Sequence, residues 1–201
     1  MHPASSSSDV PGESGTVKVI GIAGSPRRAG NSSTLLQAAL RGAASAGAET
    51  ASVHLNGLTY RGCQACERCA PEGECVIHDG LTPVFAALRL ADVWLLASPI
   101  YRDGLSGQFK SFFDRCAAWE GKNRLSGKRR AAIIVTYMDK ERDDYRHVAE
   151  TVPFYLGWMG DFSDVEVLVG AELGPVGAAA ARPDLIARAE ALGKKLVREP
   201  W

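Results

Sequence analysis

From Val17 onward, short runs of β-branched and aliphatic residues alternate with longer stretches of helical period. This alternation constrains the chain more than any other feature. Repeated strand–helix–strand order builds a mostly parallel sheet, because parallel neighbours need a long crossover and a helix supplies it. Five strands are read at 17–23, 50–55, 93–98, 131–136 and 165–169. The first, third and fourth are almost wholly apolar, as strands covered on both faces must be, so they belong at the centre. Helices fill the intervals at 32–46, 83–91, 107–119, 144–159 and 183–198, with Thr82 expected as the cap of the second, Pro83 as its first residue, and Pro153 kinking or splitting the fourth. The fold class is α/β, a three-layer sandwich around a five-stranded parallel sheet. Ligands of such sheets bind beyond the carboxyl ends of the strands, so the loops after strands one to four are where chemistry is expected.

The first of these loops reads Gly24-Ser25-Pro26-Arg27-Arg28-Ala29-Gly30-Asn31-Ser32-Ser33-Thr34 and opens a helix. Exposed backbone amides and a helix N-terminus meet there, which attracts an anion. Two familiar phosphate loops fail to match: there is no G-x-G-x-x-G, and no Lys follows Gly30. A nucleoside triphosphate with Mg²⁺ is therefore disfavoured. Ser25, Asn31, Ser32, Ser33 and Thr34, with Arg27, suit a terminal phosphate monoester held without a metal, and such a group ends FMN. A plain Gly/Pro turn with Ser32 as helix cap is the alternative.

Strand three runs into Ser98-Pro99-Ile100-Tyr101-Arg102-Asp103-Gly104-Leu105-Ser106-Gly107 and then the helix QFKSFFDRCAAW. A Gly-containing loop at a strand end lays backbone and an aromatic against a planar ligand, and Tyr101 is the stacking candidate, with a half-buried anchor as the alternative. Phe109, Phe112 and Phe113 read as the core face of the helix. Lys110 and Arg115 are expected at the surface or paired with Asp114.

Between strands two and three lie Cys63, Cys66, Cys69 and Cys75, spaced C-x2-C-x2-C-x5-C. Four thiolates from so short a loop suit a [4Fe–4S] cube, although the last spacing is longer than in the bacterial ferredoxin run and Val76 replaces its Pro. Zinc is a second reading, but four-cysteine zinc sites usually join two separated knuckles. A Cys63–Cys66 disulfide and unligated thiols also stay open. Cys116 is expected as a small buried hydrophobe, and none of the four histidines sits in a catalytic pattern.

These motifs together resemble the NADPH-dependent FMN reductase family of flavodoxin-fold proteins, and in particular its iron–sulfur flavoprotein branch. The resemblance rests on GSPRRAGNSS, the Cys loop, SPIYRDGLSGQFKSFFDR and the closing ALGKKL, and covers about residues 17–197. It implies a flavodoxin-like sandwich in which Ser25, Arg27, Asn31, Ser32 and Ser33 grip the FMN phosphate. Pro99, Ile100, Tyr101, Arg102 and Gly104 would border the ring system, and Cys63, Cys66, Cys69 and Cys75 would hold a [4Fe–4S] cluster. The implied activity is oxidoreduction from NADH or NADPH to a quinone, flavin or other small acceptor, with no catalytic side chain because the flavin carries the chemistry. The alternative is an iron–sulfur flavoprotein relaying single electrons between protein partners. Asp103 departs from the small or aromatic residue common in relatives, and 136–142 replaces a Gly-rich loop.

The chain has no separate dinucleotide fingerprint, so NAD(P)H is expected to share the flavin crevice, bordered by 137–144 and met by Arg102 or Arg142. A homodimer or homotetramer is expected, with Trp119, Tyr155 and Trp158 as anchors. Lys plus Arg equals Asp plus Glu at 23 each, which gives no global field for nucleic acid. The longest apolar runs are strand-length, so no membrane span is expected. Residues 1–16, rich in Ser, Gly and Pro and without a signal-peptide pattern, read as a flexible tail before one domain at 17–201, and the location expected is cytoplasmic.

Overall fold

The computed structural model describes residues 15–140 and 145–200. Most of the expected tail, and Arg142, lie outside the described residues. In chain order the elements are β1 (Lys18–Ala23), α1 (Asn31–Ser45), β2 (Glu49–His54), α2 (Thr82–Leu90), β3 (Val93–Tyr101), β4 (Gly104–Leu105), α3 (Gly107–Arg115), β5 (Leu125–Thr136), α4 (Arg146–Met159), β6 (Gly160–Gly170) and α5 (Pro183–Arg198). Five strands pair in parallel in the order β2-β1-β3-β5-β6, and the two-residue β4 pairs antiparallel with β3. This is the flavodoxin-like winding, with its switch point between β1 and β3. The three apolar strands are central, as their sequences require.

Period-two alternation divides the sheet's side chains between two cores. Ile20, Ile22, Trp94 and Leu96 face α2, α3 and α4, packing with Leu88, Phe109, Phe112 and Val152. Val19, Val93 and Leu95 face α1 and α5, packing with Leu35, Leu36, Leu185 and Leu192. On that second side the two helices touch through glycines. A Cβ on Gly42 would lie 2.0 Å from the Glu190 carbonyl oxygen, and one on Gly193 would lie 1.9 Å from that of Ala39. Only hydrogen fits at either crossing point.

Several boundaries differ from the sequence reading for identifiable reasons. β3 does not end at Ser98 but continues to Tyr101 and turns back, with Ile100 opposite Leu105 and Tyr101 opposite Gly104. The expected loop is therefore a tight hairpin. Arg102 and Asp103 form its two-residue turn with φ of 51° and 58°, the left-handed pair that a type I′ turn demands and that Asp tolerates. Asp103 thus occupies a turn position. β5 begins at Leu125, with register shifts against β6 before the apolar run starts. The expected helix 107–119 is α3 followed by a 3-10 segment, Cys116–Trp119. Leu81, not Thr82, precedes α2, and the Thr82 hydroxyl instead accepts from the Asp79 amide at 3.1 Å. α4 runs unbroken through Pro153. Trp119 is 2% exposed and packs against Phe85 and Trp94, so it is a core residue and not an interface anchor.

Candidate functional site

Beyond the carboxyl ends of β1, β3 and β5 lies a crevice of about 710 Å³, within the size range of small-molecule sites. Its floor is the loop after β1. Gly24 must lack a side chain there, because a Cβ would come within 2.6 Å of the Phe109 Cβ. Its carbonyl accepts from the Ser106 hydroxyl at 2.6 Å, and Ser106 also caps α3 by accepting from the Phe109 amide. The floor is thereby tied to the start of α3.

Ser25 is buried and its hydroxyl accepts from the Arg27 amide at 3.1 Å. Gly30 precedes α1 with no side-chain cap, so the first-turn amides of that helix keep their donors for another acceptor. A Cβ on Gly30 would approach the Ser25 hydroxyl to 2.6 Å, which shows how tightly the loop is wound. Ser32 is 1% exposed and lines the crevice, yet its hydroxyl has no hydrogen-bond partner among the described residues. An orphaned hydroxyl beside free helix amides is an incomplete anion site.

The other predicted loop residues divide by role. Arg27 lines the crevice. Ser33 does not; its hydroxyl donates to the Arg27 carbonyl at 3.4 Å. Asn31 also lines the crevice, while its side-chain amide is tied to the fold, donating to the carbonyls of Leu173 and Pro175 at 2.8 and 2.9 Å and accepting from the Ala179 amide at 3.0 Å. These bonds draw the segment after β6 against the crevice, where Leu173 and Gly174 form a wall. Residue types alone did not separate this clamp from a direct ligand.

Pro99, Ile100, Tyr101 and Arg102 line the opposite side, whereas Gly104 stands in β4 outside the lining. Tyr101 is 43% exposed, leaving a ring face open. The far wall is Thr136, Tyr137, Met138, Asp139 and Tyr145, with the Tyr145 hydroxyl donating to Asp139 at 3.2 Å. Sequence reasoning placed 137–139 beside the crevice but missed Tyr145, Leu173 and Gly174. The Gly-Pro-rich stretch after the last strand was the available signal.

The cysteine loop lies apart from this crevice. Cys63, Cys66, Cys69 and Cys75 are all free thiols and line one small hollow of about 30 Å³. Ala65 and Glu67 on either side of Cys66 take left-handed φ of 49° and 56°, a coiled path that costs free energy in non-glycine residues. Among the described residues no three His, Cys, Asp or Glu side chains gather as ligands of a single ion. A cube spreads its thiolates around a core, whereas zinc draws them to a point about 2.3 Å from each sulfur. The four thiols supply the donor set of either group and line one hollow. Burial raises the Cys69 thiol above its ordinary value, with the neighbouring Cys75, Cys63 and Cys66 adding to the shift. Burial also pushes Cys116 strongly upward, as expected of a buried thiol used as a hydrophobe.

Arg115 overturns its expected surface role. Lys110 is the residue that pairs with Asp114, at 2.5 Å, while Arg115 is buried and pairs with Asp79 at 2.9 Å. Burial opposes the charge on Asp79, but the Arg115 hydrogen bond and the amides of Arg61 and Leu81 outweigh it and hold the carboxyl below its usual range.

The model of the NADPH-dependent FMN reductase family matches residues 17–159. The chain belongs to that family. Among family-related proteins, the iron–sulfur flavoprotein of Methanocaldococcus jannaschii is 39% identical over 119 residues, covering 59% of this chain and 62% of that protein. One from Archaeoglobus fulgidus is 35% identical over 119 residues, covering 59% of this chain and 54% of that protein. The aligned region therefore spans less than two thirds of these relatives' length. In fold the chain is similar to an NAD(P)H:quinone oxidoreductase from Methanothermobacter marburgensis, with TM-score 0.75, 17% identity, and coverage of 93% of this chain and 99% of that one. A flavone reductase superposes with TM-score 0.64 at 17% identity, over 90% of this chain and 62% of that one. No helix among the described residues is long and apolar enough to cross a membrane.

Proposed function

We propose that this member of the NADPH-dependent FMN reductase family binds FMN in the crevice and passes electrons from NADH or NADPH to a quinone, flavin or other small acceptor. One observation carries the reading: the buried hydroxyl of Ser32, without a partner among the described residues, beside the first-turn amides of α1, which no side chain caps. The residues present fit the cofactor. Ser32, the α1 amides and Arg27 would hold the phosphate, and Pro99, Ile100 and Tyr101, which line the opposite side, would border the ring system. When bound, the flavin supplies hydride acceptance and electron delivery, which no side chain here can perform.

The chain's own residues bind and orient. Arg27 and Arg102 bring positive charge to a crevice that receives anionic nucleotides. Leu173 and Met138 give one side of the crevice an apolar lining. Asp139, tied to Tyr145, sets a negative edge on the far wall. Donor and acceptor take turns in one crevice, so initial-rate lines should be parallel at different acceptor concentrations. Purified protein that binds AMP or ATP but not FMN refutes the reading, as does a flavin-loaded protein that neither NADH nor NADPH bleaches under nitrogen.

A second reading is favoured by the four cysteines around one hollow: an iron–sulfur flavoprotein that relays single electrons between protein partners, the class named among the relatives. Iron and sulfide content of protein purified without oxygen separates the two. We place either form in the cytoplasm, where the free thiols stay reduced. We also propose a homodimer or homotetramer, supported by the exposed aromatic cluster Phe154, Tyr155 and Trp158 on α4. Light scattering that returns a flavin-loaded monomer refutes that assembly.

A further inference from the structure

Non-glycine residues in the left-handed region cost free energy, and the cysteine loop holds two of them, Ala65 and Glu67, besides Gly73. Such residues persist only where surrounding structure holds the loop. The side chain that reaches both of its ends is Arg115, at the last turn of α3, with 1% of its side chain exposed. One guanidinium nitrogen donates to the Arg61 carbonyl at 2.8 Å, two residues before Cys63, and to the Asp79 carboxylate at 2.9 Å. The other donates to the Ile77 carbonyl at 2.8 Å, two residues after Cys75. Asp79 repeats the bracket from the loop side, accepting from the Arg61 amide at 3.0 Å and the Leu81 amide at 3.0 Å. Cys75 and Arg115 together line a second hollow beside α2. Arg115 also lines the hollow that the four thiols share.

We propose that Arg115 is a positioning residue of the cysteine centre: its buried fork, anchored by Asp79, clamps both shoulders of the loop and sets a guanidinium at the hollow that the four thiols share. Two consequences follow from the chemistry of the fork. Its planar donors serve three acceptors in divergent directions, which a lysine ammonium cannot reproduce from the same backbone position. A cation at the rim of a metal–sulfur centre stabilises its reduced, more negative state, so it raises the reduction potential. Geometry and charge are thus separable functions of one side chain. The charge half of the inference rests on the iron–sulfur reading; the clamp half does not.

The experiment compares wild type with Arg115→Lys and with the double variant Arg115→Met/Asp79→Asn, which removes the pair together so that no buried charge is stranded. Hydrogen exchange over residues 61–79, iron loss to a chelator and the midpoint potential of the reconstituted centre are read on the full chain, with flavin affinity as the control for an intact fold. In the double variant exchange over 61–79 should be about tenfold faster or more, chelation faster, and the potential lower. Arg115→Lys should restore the potential toward wild type while exchange stays fast. A double variant with wild-type exchange overturns the clamp, and one with a wild-type potential overturns the charge effect. If the double variant fails to bind flavin, Arg115→Lys alone decides: wild-type exchange in it refutes the need for the fork. Wild type that takes up no iron refutes the iron–sulfur reading and with it the charge effect, and the exchange measurement still decides the clamp.

Discussion

Replacing Ser32 with Ala should move stability and flavin affinity in opposite directions. The Ser32 side chain is 1% exposed and its hydroxyl has no partner among the described residues. A buried hydroxyl without a partner costs roughly 1–3 kcal/mol of folded-state free energy. Removing one oxygen leaves a cavity smaller than a methyl group, which returns less than about 1 kcal/mol of that. The flavin-free variant should therefore be as stable as wild type or more so, by up to about 2 kcal/mol, or roughly 4–8 °C in Tm for a domain of this size. In the proposed flavin complex the hydroxyl's partner would be a charged phosphate, and a hydrogen bond of that kind contributes about 1.5–3 kcal/mol. FMN affinity should consequently fall by roughly 10- to 100-fold. Fluorescence titration of FMN and a thermal melt of the flavin-free protein supply both numbers. Ser33→Ala is the matched control, because Ser33 donates to the Arg27 carbonyl and does not line the crevice. It should lose about 1 kcal/mol of stability with little change in affinity. If Ser32→Ala melts lower than wild type without flavin, or binds FMN equally well, the hydroxyl is not a reserved phosphate donor.

Gly193→Ala places a methyl group 1.9 Å from the Ala39 carbonyl and should cost about 3 kcal/mol or more, measured by urea denaturation. Asn31→Ala releases three hydrogen bonds to the segment after β6, so exchange at the Ala179 amide should accelerate and FMN affinity should fall without loss of any phosphate contact. The Asp79 carboxyl is held below its ordinary value in the fold. Its contribution is therefore complete above the unfolded value of about 3.9 and is lost as pH falls through the lower folded value. Exchange over 61–79 should accelerate only in that acid window, and Asp79→Asn should remove the pH step.

The order and centrality of the strands were legible because burial on both faces leaves a plain mark, an unbroken apolar run, on β1, β3 and β5. Ser32 stood out in the sequence as a hydroxyl at a helix start, either cap or phosphate donor, and the structure places it buried in the crevice lining. What escaped were residues whose role depends on partners distant in sequence. Asn31 and Arg115 have the composition of a ligand and a surface charge, and only contacts 142 and 54 residues away convert them into clamps. The hairpin at Arg102 and Asp103 escaped for another reason: without a Gly in the turn, nothing in residue type announces two consecutive left-handed residues. Expecting Trp119 at a surface failed because a large aromatic carries the same signature in a core as at an interface.

The glycine crossing of α1 and α5 bears on the order in which the protein is made. α1 presents the anion cradle at its N-terminus, but its flank is seated against a helix that begins at Pro183. A ribosome completes α1 and then translates more than half of the chain before α5 exists, on the order of ten seconds at common elongation rates. Through that interval the Val19, Leu35 and Leu36 side of the sheet lacks its cover and the cradle lacks its backstop. Cofactor loading on the nascent chain should therefore wait until α5 has emerged and seated, which ties flavin capture to the closing of this helix pair.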